Sequence, residues 1–287
     1  MSLCHYSARV NSCPSRPSMF SSIDRTFPCQ RHCPLATNHR FPYNGWSRGG
    51  LPHIRMTASN QADPRDHEKQ IAARAAVDLV EAGSIVGLGS GSTATYAVRF
   101  LAERVRSGLQ IIGIPTSQQT RRLAEQLEIP LGTLDEHPKI DIDIDGADEI
   151  DPHLNLIKGG GGAFLREKII ASVSRRFIVI AESAKQVKQL GKFPLPVEVV
   201  PFAQSLIKLQ IEALGAKVSL RNYAYGNPYV TDEGHHILDC TFGEIADPPA
   251  LAEKLCHIPG VVEHGLFIGM AELALIGKDG KVVQLRR

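Results

Sequence analysis

The chain has 287 residues, 43% of them hydrophobic and 22% charged, with a formal net charge of +2. That length allows one large or two modest domains with a true core, and the composition fits no fibrous, disulfide-rich or disordered class. No apolar run approaches the length of a membrane-spanning helix, so no membrane partner is expected.

The charge is unevenly placed. Residues 1–62 hold seven Arg, no Lys and one acid, Asp24, which leaves 25 basic and 29 acidic side chains over 63–287. The remainder is mildly acidic, which argues against a nucleic-acid surface. The first 62 residues are rich in Ser, Arg and Pro and hold no sustained period. That composition predicts an organelle transit peptide, chloroplast rather than mitochondrial, cleaved near 55–58. A disordered tail or a misplaced start codon are the alternatives. Four cysteines (Cys4, Cys13, Cys29, Cys33) lie in this segment. Cys29 and Cys33 flank His32, but no second ligand pair stands at zinc-finger spacing. Cys240 and Cys256 read as small apolar groups.

From about residue 66 the pattern becomes regular. Helical spacing covers 68–82 and ends at Gly83, followed by a short buried strand over 84–89. Helices over 93–106 and 118–128 enclose a strand at 110–114. Alternating Ile and Asp at 140–144 predicts a strand with one apolar and one polar face, running out into Gly146. A helix over 163–174 leads to an apolar strand at 177–181. Strands alternating with helices imply βαβ units, hence an α/β fold with a largely parallel sheet flanked by helices.

The texture changes after Leu190. A strand at 197–200, a helix at 202–214 and a strand at 217–220 precede a hairpin in which 229–231 and 236–239 flank Asp-Glu-Gly (232–234). A helix at 248–257 follows. Residues 194–261 thus form a small α+β domain inserted into a catalytic domain of 63–193 plus 262–287. The stretch 266–276, with a hairpin at Asp279-Gly280, is expected to return to the main sheet.

Two segments carry chemistry. Val-Gly-Leu-Gly-Ser-Gly-Ser-Thr-Ala-Thr (86–95) runs from a strand into a helix, where backbone amides and hydroxyls at a helix N-terminus favour an anion. It lacks the third glycine of a dinucleotide fingerprint and the Gly-Lys-Ser/Thr of a P-loop, so a monophosphate fits better than a nucleotide. Downstream, seven carboxylates, two lysines and four consecutive glycines crowd into 141–168. Carboxylates clustered at a strand end repel one another, which suggests proton-transfer chemistry on an anionic substrate.

Together these blocks resemble the ribose-5-phosphate isomerases of the A type. The matching motifs are Gly-Leu-Gly-Ser-Gly-Ser-Thr (87–93), Asp-Gly-Ala-Asp-Glu (145–149), Lys-Gly-Gly-Gly (158–161), Arg-Glu-Lys (166–168), Ala-Lys-Gln-Val (184–187) and Gly-Lys-Phe-Pro-Leu-Pro-Val-Glu-Val (191–199), spread over about 66–285. The resemblance implies a Rossmann-like sheet with a ferredoxin-like lid, no cofactor and no metal, and a homodimer or homotetramer. It implies Glu167 as general base, Lys158 as the group that offsets enediolate charge, and Asp145 as an aid to ring opening. Substrate, a phosphorylated pentose, would be held by Lys69, Ser90, Gly91, Ser92, Thr93, Asp145, Gly146, Ala147, Asp148, Lys158, Gly159, Gly160, Gly161 and Lys185. Ser90 stands where Thr is common, and Glu182-Ser183 replaces the more usual Asp-Ala/Ser before Lys185. With a transit peptide, the product would feed the reductive pentose phosphate (Calvin) cycle as well as the non-oxidative branch. A coenzyme A transferase, with Glu167 as nucleophile, and a sugar-phosphate-sensing domain are the competing readings. For Glu167 the bland alternative is a helix-surface residue offset by Arg166 or Lys168.

Overall fold

A computed structural model describes residues 64–287. The transit-peptide and Cys29–Cys33 readings lie outside those residues.

The chain runs α1 (Pro64–Val77), β1 (Ile85–Leu88), α2 (Ser92–Arg106), β2 (Ile112–Pro115), α3 (Gln118–Gln126) and β3 (Ile142–Gly146). Two short strands follow, β4 (Glu149–Ile150) and β5 (Leu156–Ile157), then α4 (Phe164–Val173) and β6 (Phe177–Glu182). The first helix starts four residues earlier than its apolar spacing predicts, with Pro64 at the position where proline costs no hydrogen bond. It also stops earlier, at Val77, where the chain tightens into a turn. The Val77 carbonyl accepts from the Val80 N–H at 3.1 Å and from Arg104 of α2. Val80 stays in the core although it is no longer helical.

The main sheet has the order β13-β12-β6-β3-β1-β2, with β12 (Leu273–Lys278) and β13 (Lys281–Arg286) closing the chain. The pairs β1–β2, β1–β3, β3–β6 and β6–β12 are parallel, and only the β12–β13 hairpin is antiparallel. Asp279 and Gly280 both have positive φ in its two-residue turn, as the right-handed twist of the hairpin requires. All six residues of β6 are buried, since helices cover both faces of a parallel sheet. One core packs Ala72, Ala76, Leu101, Ile144 and Ile178 together, and another joins Phe164, Phe177, Val179 and Ile276.

The remaining elements are β7 (Leu195–Val199), α5 (Gln204–Ala213), β8 (Lys217–Leu220), β9 (His236–Thr241), α6 (Pro248–Cys256), β10 (Val261–His264) and β11 (Leu266–Phe267). From β7 to β10 the order is βαββαβ, and the antiparallel sheet runs β10-β7-β9-β8, the ferredoxin-like arrangement. Its core is Val197, Ile207, Ile211, Leu238 and Leu255.

Four expectations change. Residues 229–231 form no strand; Val230 makes one bridge to His236 and the chain turns tightly at Thr231–Gly234. Leu266–Phe267 pairs with β5 in a three-stranded sheet, and only 273 onward rejoins the main sheet. Cys240 is buried as predicted, whereas Cys256, in the last turn of α6, is exposed. Finally, β3 has no solvent-facing polar side: Asp143 and Asp145 are as inaccessible as Ile142 and Ile144. The polar side of β3 faces α4, where Asp143 lies against Gly87 and Ile170.

Candidate active site

In the main sheet β2 lies on one side of β1 and β3 on the other, so strand order reverses at β1. Ligands of open α/β sheets bind beyond the carboxyl ends of strands at such a point. The C-terminal ends of β1, β3 and β6 lead into 89–93, 147–148 and 182–185. Those segments, with Lys69 of α1, the 158–161 run and Glu167, line a cavity of about 300 Å³.

Close approach builds its floor. A Cβ on Gly89 would stand 2.6 Å from the Asp145 Cα, so β1 and β3 meet here only because Gly89 has no side chain. The Ser90 N–H donates to Asp145 Oδ1 at 3.0 Å. The Ser90 hydroxyl turns away from the cavity, 2.7 Å from Thr116 Oγ1 and 2.8 Å from Ser117 Oγ. The hydroxyl thus belongs to a cluster under the loop, while Ser90 itself lines the cavity. The hydroxyls of Ser92 and Thr93 have no partner among the described residues. Gly91, with φ of +93°, is the N-cap of α2 and supplies no side-chain hydrogen bond, so the first-turn amides stay open to an anion.

Glu167 is reached through α4. Gly159 and Gly162 take positive φ and let the chain double back, and Phe164 anchors the helix in the core. Glu167 follows in the first turn, buried at 5% exposure. Lys158 Nζ lies 3.2 Å from Glu167 Oε2 and 3.1 Å from Asp145 Oδ2, and donates to the Gly146 carbonyl at 2.5 Å. Burial pushes the Glu167 carboxyl up to about 8 against the pull of Lys158. Burial alone would lower the Lys158 pKa, but Asp145 and Glu167 outweigh it and hold the ammonium charged. Asp145 is likewise raised by burial, with Lys158 opposing. The bland reading of Glu167 fails on geometry: Arg166 instead meets Asp232 and Glu233, and Lys168 meets Glu263.

Every predicted site residue lines the cavity except Asp145, which lies beneath it against Lys158. At the rim, Lys185 Nζ is 3.9 Å from Asp148 Oδ1, while Asp148 Oδ2 accepts the Gly160 N–H at 2.7 Å. Two acids went unassigned in the sequence. Glu182, at the end of β6, faces the cavity. Asp143 is fully buried with no hydrogen bond to either carboxylate oxygen. Burial, then the neighbouring Asp145 charge, pushes its pKa well above the ordinary value. The two-residue spacing from Asp145 along β3 was the signal for Asp143. Among the described residues, no group of three or more His, Cys, Asp or Glu side chains could hold a metal ion, and no helix is long and apolar enough to cross a membrane.

Comparison with known proteins agrees with this geometry. The sequence model of ribose 5-phosphate isomerase A (phosphoriboisomerase A) matches residues 112–281. A ribose-5-phosphate isomerase A from Roseiflexus castenholzii is 55% identical over 217 residues, covering 75% of this chain and 93% of that protein. One from Synechococcus is 53% identical over 225 residues, covering 77% of this chain and 98% of its own. A D-ribose-5-phosphate isomerase solved with phospho-erythronic acid superposes with a TM-score of 0.76 at 39% identity, covering 78% of this chain and all of that one. The Plasmodium falciparum ribose 5-phosphate isomerase gives 0.75 at 39% identity, covering 77% and 99%. The chain is an isomerase and belongs to the ribose-5-phosphate isomerase A family.

Proposed function

We propose that the chain interconverts ribose 5-phosphate and ribulose 5-phosphate through an enediolate, with Glu167 as general base. The observation that carries this reading is the buried Glu167–Lys158–Asp145 group beneath a cavity rimmed by Lys69 and Lys185. The Glu167 carboxylate takes the C2 proton of the opened aldose. The electron pair of the broken C–H bond forms the C1–C2 double bond, and the former aldehyde oxygen gathers negative charge. Lys158 supplies a fixed positive charge for that oxygen, already oriented before reaction. The C2 hydroxyl gives up its proton to the charged C1 oxygen while Glu167 returns its own proton to C1. The C2 oxygen thereby becomes the ketone and the C1 oxygen the hydroxyl. A base with a pKa near 8 is well matched to such reversible transfer. Asp148 would meet sugar hydroxyls, while Asp145, beneath the cavity, would act by holding Lys158 in place. The open first turn of α2, with Ser92, Thr93, Lys69 and Lys185, would hold the phosphate. The substrate for which the family is named and the phospho-erythronic acid of one related structure support a phosphorylated pentose.

The same reading takes 194–261 as a lid domain and the working protein as a homodimer or homotetramer. It takes 1–62 as a chloroplast transit peptide on the Arg- and Ser-rich, acid-poor composition of that segment. A plastid enzyme of this kind would serve the Calvin cycle as well as the non-oxidative pentose phosphate branch.

The deciding experiment is turnover of ribose 5-phosphate by the full chain, with and without EDTA, and by Glu167→Gln. Activity that survives EDTA and drops by orders of magnitude in the variant supports the proposal. Binding of the sugar phosphate without turnover by the parent protein would point to a sensor. Acyl transfer from a thioester would point to a transferase.

A further inference from the structure

Successive peptide carbonyls of the glycine run are held from outside the cavity. Arg221 Nη1 donates to the Gly159 carbonyl at 2.8 Å and to that of Gly160 at 3.3 Å. The Tyr229 hydroxyl donates to the Gly161 carbonyl at 3.2 Å. Both donors lie between β8 and β9 of the small sheet, while the run they hold connects β5 to α4 of the catalytic half. The guanidinium is itself immobilised. Its Nε and Nη2 form a bidentate pair with Asp239 of β9, at 3.0 and 2.5 Å. It also lies 6.0 Å from the centroid of the Tyr229 ring, which packs on Tyr223. Gly162 makes room for this arrangement, since a Cβ there would come within 2.5 Å of the Tyr229 hydroxyl.

In a trans peptide the C=O and the following N–H point in opposite directions. Drawing the Gly159 and Gly160 carbonyls toward Arg221 therefore turns the N–H groups of Gly160 and Gly161 the other way. The first reaches Asp148, at 2.7 Å. The second has no acceptor among the described residues, and Gly161 lines the cavity.

We propose that Arg221 is a positioning residue for catalysis, clamping the glycine run so that it offers N–H groups rather than carbonyl oxygens to substrate beside Lys158. A flipped peptide would set a partial negative charge against the forming enediolate and cancel part of what Lys158 contributes. Lysine cannot reproduce the clamp, because it lacks the planar fork that serves Asp239 and the loop carbonyls together. The proposal rests on the isomerase reading of the same cavity.

The test compares Arg221→Met, Arg221→Lys and Tyr229→Phe in the full chain by kcat, KM, melting temperature and amide exchange over 159–162. Arg221→Met is expected to lose about 100-fold in kcat, as for a small misplacement of a catalytic wall, with KM moving by less than about threefold. Arg221→Lys should recover only part of the loss, and exchange over 159–162 should quicken more than elsewhere. A kcat within about twofold of the parent, or a loss that merely tracks the melting temperature, would overturn the proposal. Absence of turnover by the parent protein would sink the isomerase reading and the catalytic half of this one. The exchange rates would still decide whether Arg221 holds the run.

Discussion

Lys158 Nζ lies 3.2 Å from Glu167 Oε2, and both side chains are almost wholly withdrawn from water. In an ordinary ion pair the lysine would hold the glutamate below its usual pKa. Here burial outweighs the lysine, and the carboxyl rises to about 8. The base form must be present for C2 proton removal, so kcat/KM is expected to climb with pH through about 8. Replacing Lys158 by Met removes the group that opposes the rise. The acid limb should then move to higher pH, and kcat should fall by about 100-fold or more, as on loss of an oxyanion donor. A limb that stays in place or moves down in pH would refute this account of the Glu167 pKa.

The same shift makes Glu167 a cost to stability. An acid whose folded pKa stands above its value of 4.5 in the unfolded chain binds more protons when folded. Stability therefore falls as pH rises from about 4.5 to about 8. Glu167→Gln removes that dependence. It should melt above the parent at pH 8, by on the order of a few kcal/mol in stability, with the gap closing near pH 5. Parallel melting curves at both pH values would show that burial does not act on Glu167 as described.

Two glycines of the site separate folding from catalysis. Gly89→Ala drives a Cβ to 2.6 Å from backbone of β3 and 2.3 Å from Asp145 Oδ1. A cost of about 1–3 kcal/mol is expected, with activity lost through displacement of Asp145. At Gly161 an added Cβ meets nothing within 4 Å. Gly161→Ala should keep the parent melting temperature, and thermal unfolding of the pair is the check.

Much of this site was legible because its parts are local in sequence. The run from Lys158 to Glu167 is a loop and one helical turn, and Asp145 follows from the alternation of β3. What pattern could not supply was burial. Alternating Ile and Asp normally marks a half-solvated strand, yet β3 is central and covered on both faces, so its aspartates become perturbed acids. Arg221 and Tyr229 were hidden for a different reason. They reach the glycine run from some sixty residues away, across two sheets, and no spacing rule encodes that contact. Ser90 shows a third limit, since a hydroxyl in a phosphate-type loop can turn inward when Thr116, Ser117 and Thr120 offer partners.

The two described cysteines should part company toward a thiol reagent. Cys240 is buried in the small sheet, and burial raises its pKa far from the reactive range. Cys256 is exposed, 3.5 Å from His264 Nε2. Brief alkylation of the native protein followed by peptide mapping should label Cys256 and spare Cys240 until the fold is melted. Labelling of Cys240 in the native state would contradict its place in the core.

The residues on either side of Glu167 face different surroundings, and their replacement should reveal it. Arg166 pairs with Asp232 and Glu233 in a partly solvated turn, where such pairs contribute about 0–1 kcal/mol. Lys168 is 14% exposed and donates at 2.6 Å both to Glu263 Oε1 and to the His264 carbonyl, tying α4 to β10. Burial lowers its pKa, with Glu263 resisting. Lys168→Met would leave that carboxylate and carbonyl without their donor in a half-buried seam, at a cost of about 2–3 kcal/mol. Arg166→Ala should change stability by under about 1 kcal/mol. Denaturant titration of both variants decides the point. Equal losses would mean that Lys168 is only another surface charge, and that α4 holds Glu167 in place through its apolar anchors alone.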